Sequence, residues 1–331
     1  TQAVFVSGYN SSTSDQGKKN NGWEQSTRPK YATQSGGGSN QPAWDLIKAY
    51  PMKDGKTPGQ SAKYTYSDQF FYKDRDPRFE KTIAYNGSTW SMSNVPNGRL
   101  WTYIADGKIV ENNGSNTSFT GFYTRKALQT SDVANSTLDY SQTQFSGTDW
   151  IEIRFAEVLM NLAESATGIG NTEEAYTQLK AIRARAGIEA GSDGLYGLTP
   201  GMARSNMFKA ILAERQIEFA FEGKRFWDLR RWRLLESTLN GNKGIKATIT
   251  LKTGTGLPTA ADIAKTRDGL SLDELYKNNF EVKLSPNALM TRTTNYSPKY
   301  YFLPIPTDAI NNNPNLKQNT GWANGTFDPL Q

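Results

Sequence analysis

A chain of 331 residues, 36% of them hydrophobic, is long enough to bury one large core or two modest ones. It contains no cysteine and no histidine, which removes disulfide frameworks, thiolate and imidazole metal sites, Ser-His-Asp and Cys-His triads and imidazole general bases together. The formal charge is +6, but the bases are dispersed and form neither a basic stripe nor a helix-turn-helix pattern, so nucleic acid is not an expected partner.

Residues 1–147 are rich in Gly, Ser, Asn and aromatic residues and read as loops with short hairpins. The opening residues 1–6 read as a strand, and the Gly36-Gly37-Gly38 tract as a mobile loop. Residues 43–50 predict an amphipathic helix, with Pro42 in its first turn, Trp44 and Ile47 facing inward and Pro51 ending it. The run Arg75-Asp76-Pro77-Arg78-Phe79 reads as a turn with an internal Asp-Arg pair, because Pro77 removes a donor that a phosphate loop would need. Residues 79–85 read as a strand leading into a type I′ turn at Asn86-Gly87.

Residues 148–240 read as the helical core. A helix is predicted over 150–166, with Ile151, Phe155, Val158, Leu159, Leu162 and Ala166 as its inward stripe and Gly168 and Gly170 as its stop. Asn171 then caps a second helix, with Glu174 as capping-box partner, Ala175, Leu179, Ile182 and Ala186 on the buried face and Gly187 as a left-handed stop. Two helices joined this tightly pack antiparallel, as in tetratricopeptide-type repeats, and one such unit cannot bury both of its faces alone. A third helix over 206–221 carries Phe208, Ile211, Leu212, Phe219 and Ala220; Gly223 interrupts it and helix resumes over 225–235. Phe219, Phe226 and Trp232 are expected in the core. Residues 241–331 return to loops and short strands and close in a Pro- and Asn-rich tail. The expected fold class is mainly α: tetratricopeptide-like helix pairs with a loop-rich region containing short strands.

Glu214, Glu218 and Glu222 are spaced by four and share a helix face, as acid/base or metal-binding carboxylates would. Arg215, Arg225, Arg230 and Arg231 lie in the same segment, and a guanidinium makes a carboxylate a poorer base, so structural ion pairing is the favoured reading. No metal and no cofactor is expected. The run Asn311-Asn312-Asn313-Pro314-Asn315 lacks the carboxylates of a calcium loop and reads as turns.

The remaining signal is aromatic. An exposed ring stacks on the C–H face of a sugar while neighbouring amides bond its hydroxyls, and the loop-rich half holds Trp and Tyr beside Asn, Gln, Lys and Arg. The candidate ligand residues are Trp23, Tyr31, Trp44 and Trp90. Trp23 ranks first because it follows Asn20-Asn21-Gly22 in a segment without apolar periodicity; Trp44 ranks last because its helix faces it inward.

The text IRFAEVLMNLAESA (153–166) followed by EEAYTQLKAIRARAGI (173–188) resembles the helix pair of SusD/RagB proteins. ILAERQIEFAFEGKRFWDLRRW (211–232) matches the signature of that family, carried by Glu214, Arg215, Glu218, Glu222, Arg225, Asp228, Arg231 and Trp232. PAWDLIKAYPMKDGK (42–56), RDPRFEKTIAYNG (75–87) and YYFLPIPTDAINNNPNLKQNTGW (300–322) are similar to its middle and closing segments. The resemblance implies an α-α superhelix of the SusD kind and identifies the sequence as the carboxy-terminal portion of a longer protein, 1–331 forming its carboxy-terminal domain. The signal peptide, lipid-anchored cysteine and amino-terminal helical repeats of the family are absent from the sequence.

For function the resemblance implies a lipoprotein on the outer face of the bacterial outer membrane. Such a protein captures an oligosaccharide without reaction and delivers it to a SusC-like TonB-dependent transporter, touching the membrane only through its lipid anchor. The other readings are capture of a peptide or another nutrient for such a transporter, a protein-binding helical scaffold, and a glycoside hydrolase.

Overall fold

The computed structural model describes residues 2–10, 21–29, 37–90, 98–110, 118–128 and 146–329. In chain order, β1 (Ala3–Ser7), α1 (Trp23–Thr27), α2 (Trp44–Ala49), α3 (Arg78–Thr82), β2 (Ile83–Ala84), β3 (Tyr103–Ala105), β4 (Lys108–Val110) and β5 (Tyr123–Thr124) form the loop-rich part. Next, β6 (Trp150–Arg154) leads into α4 (Phe155–Gly168), α5 (Thr172–Ala186), α6 (Arg204–Glu218), α7 (Lys224–Arg231) and α8 (Leu235–Leu239). The chain continues through β7 (Ile245–Leu251), α9 (Ala260–Thr266), α10 (Leu272–Glu274), β8 (Phe280–Pro286) and α11 (Thr307–Asn312).

The helical part forms for the local reasons read from the sequence. Asn171 accepts from the Glu174 N–H at 3.2 Å and opens α5, and Gly187 closes it with φ 84°. The Glu174 side chain turns away from the expected capping box and accepts from Gln178. Helices α4 and α5 lie against each other, and α6 packs on both. One cluster of Ala156, Met160, Ala163, Leu179, Ile182, Met207, Ile211 and Phe219 fills this junction.

A second, aromatic cluster lies under the loops. Phe71 is ringed by Trp44, Tyr72, Phe79, Tyr85, Phe122 and Tyr276 at centroid distances of 5.4 to 6.4 Å, mostly edge to face. The four-stranded sheet, in order β4-β3-β7-β8, covers it through Ala247, Ile249 and Leu251. Helix α6 joins the two cores, sending Ile217 into the aromatic cluster and Phe219 into the helical one.

The arginine pair of the 75–79 run is structural. Buried Arg75 donates to the carbonyls of Ile47, Tyr50, Pro51 and Phe71 and so closes the carboxy-terminal end of α2. Arg78 pairs with Asp76 as expected. Loops 52–56 and 195–198 interlock just as tightly: a Cβ on Gly55 would stand 2.1 Å from the Tyr196 carbonyl oxygen, and one on Gly197 2.4 Å from that of Asp54.

Several expectations are corrected. Residues 150–154 pair with β1 as a strand, so the helix begins only at Phe155. Its buried face is Ala156, Met160, Ala163, Ala166 and Thr167, whereas Ile151, Phe155, Val158 and Leu162 are exposed, Phe155 by 51%. Both stripes have helical spacing; the one that faces α5 and α6 is buried, and of the expected stripe only Ala166 and, in part, Leu159 belong to it. Phe226 is 44% exposed and Trp232 only half-buried against Phe208, since α7 lies on the rim of the helical cluster. Residues 78–82 are helical and only Ile83–Ala84 is strand. The Asn86-Gly87 turn needs left-handed backbone only at Gly87, so it is not type I′. Asp106-Gly107, with φ 52° and 72°, makes that turn instead, between β3 and β4. Gly36 and its neighbours to residue 30 lie outside the described residues.

Phe71→Ala should lower stability by roughly 3 to 5 kcal/mol, as truncation of a core aromatic does, while Phe155→Ser should change it by less than about 1 kcal/mol. Urea unfolding of both variants checks this. An equal loss in the two would mean that the α4 outer stripe is packed.

Candidate ligand-binding cleft and the charge network beside it

Helix α6 and the turn after it present Glu214, Glu218 and Glu222 on one face, and cations from four other segments close on them. Arg78 reaches Glu214 and Glu218 at 2.7 and 2.8 Å, and Arg183 reaches Glu214 at 2.7 Å. Arg154 bridges Glu218 and Glu222, Arg185 adds a second contact to Glu218, and Lys126 pairs with Glu222. Ion pairing is thus what these carboxylates do, but not with the arginines of their own segment. Arg215 pairs with Asp228, and Arg231 with Asp228 and Glu164, while Arg225 donates to the Leu212 carbonyl.

Burial alone would raise the Glu218 carboxyl, but the guanidiniums of Arg154, Arg78 and Arg185 outweigh it and hold the group down at about 2. Glu214 is lowered in the same way, burial being overcome by Arg78 and Arg183. Neither has the raised affinity for a proton that a general acid needs near neutral pH. Among the described residues no cluster of His, Cys, Asp and Glu is suited to hold a metal ion.

Beside this network opens a cleft of about 630 Å³ lined by Tyr9, Trp23, Trp150 and Phe221 together with Asn21, Ser26, Asn40 and Glu152. The Trp23 and Trp150 rings stand 5.1 Å apart, tilted by 53°. Trp23 opens α1, where its N–H donates to the Asn21 side-chain oxygen at 2.8 Å and its indole N–H to the Lys126 carbonyl at 3.1 Å. Asn21 is held by Ser146 and Thr148, and Glu24 accepts from both their hydroxyls while pairing with buried Arg28. Trp150 comes from β6, and the β1–β6 register, with Ser7 opposite Trp150, brings Tyr9 to the rim.

Part of the cleft wall has left-handed backbone. Asn40 (φ 56°), Phe221 (φ 62°) and Gly223 (φ 75°) all line it in the left-handed region, which for a phenylalanine carries a strain of about 1 to 3 kcal/mol. Phe221 adopts it because α6 ends at Glu218 while Glu222 must still reach Arg154 and Lys126.

Of the four aromatics predicted to bind ligand, Trp23 alone is placed on a cleft. Trp44 is 1% exposed beside Phe71 and Phe122, and Trp90 is fully buried between Arg28 and Arg125, so neither offers a ring face. Tyr31 lies outside the described residues. Sequence reasoning missed Trp150, Tyr9 and Phe221. It put Trp150 at the start of a helix, and only the pairing of β1 with β6, some 145 residues apart, brings Trp150 and Tyr9 together.

A helix pair thus packs against a strand-fringed aromatic core, with one charged helix face at the junction. The SusD family model matches residues 1–322, and the chain belongs to that family. A SusD-like protein from Bacteroides fragilis shares the fold with a TM-score of 0.64 at 24% identity, over 97% of this chain and 54% of its own. A SusD-like carbohydrate-binding protein from the same species gives 0.58 at 24%, over 96% and 54%. SusD-like protein P2 of Formosa agariphila is 36% identical over 90 residues, 27% of this chain and 18% of that protein. The chain therefore spans about half the length of the solved relatives it matches.

The depressed carboxyl of Glu218 has a stability consequence. A group lowered from 4.5 to about 2 on folding contributes stability that is complete above its unfolded value and is lost as pH falls from about 4.5 towards 2. The shift corresponds to about 3 kcal/mol, so urea unfolding at pH 7 and pH 3 should differ markedly in the parent chain and less in Glu218→Gln. An unchanged acid sensitivity in the variant would remove Glu218 from its cause.

Proposed function

We propose that this chain captures a glycan without transforming it, using the Trp23–Trp150 cleft as its stacking platform. The observation that carries the reading is the composition of the cleft: two tilted indoles, a tyrosine and a phenylalanine, edged by the exposed Asn40 amide, the Ser26 hydroxyl and the Glu152 carboxylate. Aromatic rings take the apolar face of a pyranose, and amides, both donor and acceptor, take its hydroxyls. The volume suits a short oligosaccharide. Membership of the SusD family, and the description of one solved neighbour as carbohydrate-binding, support the same direction.

The absence of a reaction is part of the proposal. The three α6-face carboxylates are each committed to cations, and Glu218 is held ionised far below neutral pH. In its full-length form the protein would lie on the outer face of the outer membrane and hand its glycan to a SusC-type transporter. The family resemblance gives that attachment as a lipid anchor; no helix among the described residues is long and apolar enough to cross a membrane.

Trp23→Ala should weaken binding of the cognate oligosaccharide by about ten- to a hundredfold, the loss of roughly 1.5 to 3 kcal/mol usual for an interface anchor. Trp23→Phe keeps a ring face and loses the indole N–H bond to Lys126, so it should retain most of the affinity. Calorimetry with both variants, checked for folding by circular dichroism, decides the matter. Equal affinity in Trp23→Ala would place the platform elsewhere, and new reducing ends on incubation with glycans would replace capture by hydrolysis.

A further inference from the structure

A second concave site lies between the last turn of α7 and the turn at 298–302. This cleft, of about 400 Å³, is lined by Trp227, Arg230, Arg231, Arg233, Tyr301 and Phe302. Three guanidiniums and three aromatic rings surround it, and no carboxylate is among the lining groups.

The environment of each side chain sharpens the picture. Trp227 is 56% exposed on a helix at the rim of the helical cluster, with Arg230 against its ring at 5.4 Å. Arg230 spends its Nε–H on the Tyr301 carbonyl at 2.9 Å, which pins the two walls together and leaves its terminal N–H groups without a carboxylate partner among the described residues. Arg231 is held by Asp228 and Glu164, whose carboxylates lie behind it in the neighbouring groove. The Arg233 guanidinium is exposed and has no hydrogen bond, ion pair or ring contact among the described residues; its backbone sits at φ 53°. The nearby carboxylate of Glu236 is occupied by the Tyr301 hydroxyl.

Unpaired guanidinium forks recognise planar or tetrahedral oxyanions in two-pronged fashion, and exposed indole and phenyl faces recognise the C–H face of a ring. We infer that this cleft takes an acidic sugar residue, a pyranose ring carrying a carboxylate or a sulfate, stacked on Trp227 with its anion between Arg230 and Arg233. The inference rests on the glycan-capture reading for the class of ligand and is independent of the Trp23 cleft. Its volume fits one or two rings, which favours a sugar over a protein segment.

The test is calorimetry on the 331-residue chain with a galacturonate trisaccharide, a sulfated galactose trisaccharide, a neutral galactose trisaccharide and a glutamate-rich peptide. At least one acidic sugar should bind about tenfold more tightly than the neutral one, and the gain should shrink as salt is raised. Arg233→Ala, which removes no internal contact, should abolish that gain; Arg233→Lys should restore part of it, since charge remains while the fork is lost. Which acidic sugar wins separates carboxylate from sulfate. Neutral sugar bound as tightly as both acidic ones would overturn this site alone, whereas no binding of any sugar would overturn the reading it rests on as well. Acidic-probe affinity lost in Trp23→Ala but kept in Arg233→Ala would move the sugar to the other cleft and overturn the second site. The peptide binding more tightly than either acidic sugar would overturn it in favour of a protein partner.

Discussion

Guanidinium–carboxylate pairing along one face of α6 is the constraint on which the arrangement of this chain depends. Glu214, Glu218 and Glu222 receive cations from α3, from the segment after β5, from β6 and from α5. The segments that contribute arginines are thereby fixed in rotation as well as distance, because a guanidinium fork meets a carboxylate in one plane, whereas Lys126 adds only charge. An apolar contact of similar area would hold the same segments together but let them slide. The two cores meet at this helix, so the charged face sets how the loop-rich part sits on the helical part. The Trp23–Trp150 cleft lies at that seam, and its walls come from both sides of it.

Much of the helical part was legible in the sequence. The α2 helix between Pro42 and Pro51, the Asn171 cap, the Gly187 stop and the interruption near Gly223 are local signals, and local signals survive folding. The errors arose where two patterns of equal quality competed. On α4 two stripes share helical spacing, and periodicity counts apolar residues without knowing which of them the neighbouring helices will face. At residues 150–154 the alternation of Ile151 and Ile153 with Glu152 and Arg154 runs straight into the helical pattern that follows, and only the distant β1 makes it a strand.

The site was less legible, for a reason rooted in composition. Because Leu, Ile and Val are sparse, this chain builds its loop-side core from rings, and the six around Phe71 do the work that branched aliphatics do elsewhere. An abundance of aromatics beside amides therefore marks both core and cleft. Trp44 and Trp90 went to the former, Trp23 to the latter; the short helix around Trp44 marks it as inward, but nothing within a few residues of Trp90 marks it as buried. What separates Trp23 is its bond to Lys126 and its neighbour Trp150, contacts made across more than a hundred residues.

The closure of α2 by Arg75 bears on the order in which the chain acquires structure. Six residues of helix do not persist alone in water, and the carbonyls at the end of this one are satisfied by a side chain 24 to 28 positions further on. Segment 44–49 is therefore expected to hold stable helix only once the turn that carries Arg75 has docked on it. Helix, turn and the first aromatic contacts of Phe71 then form as a single cooperative event, which makes this the part of the chain where secondary structure is the product of tertiary contact.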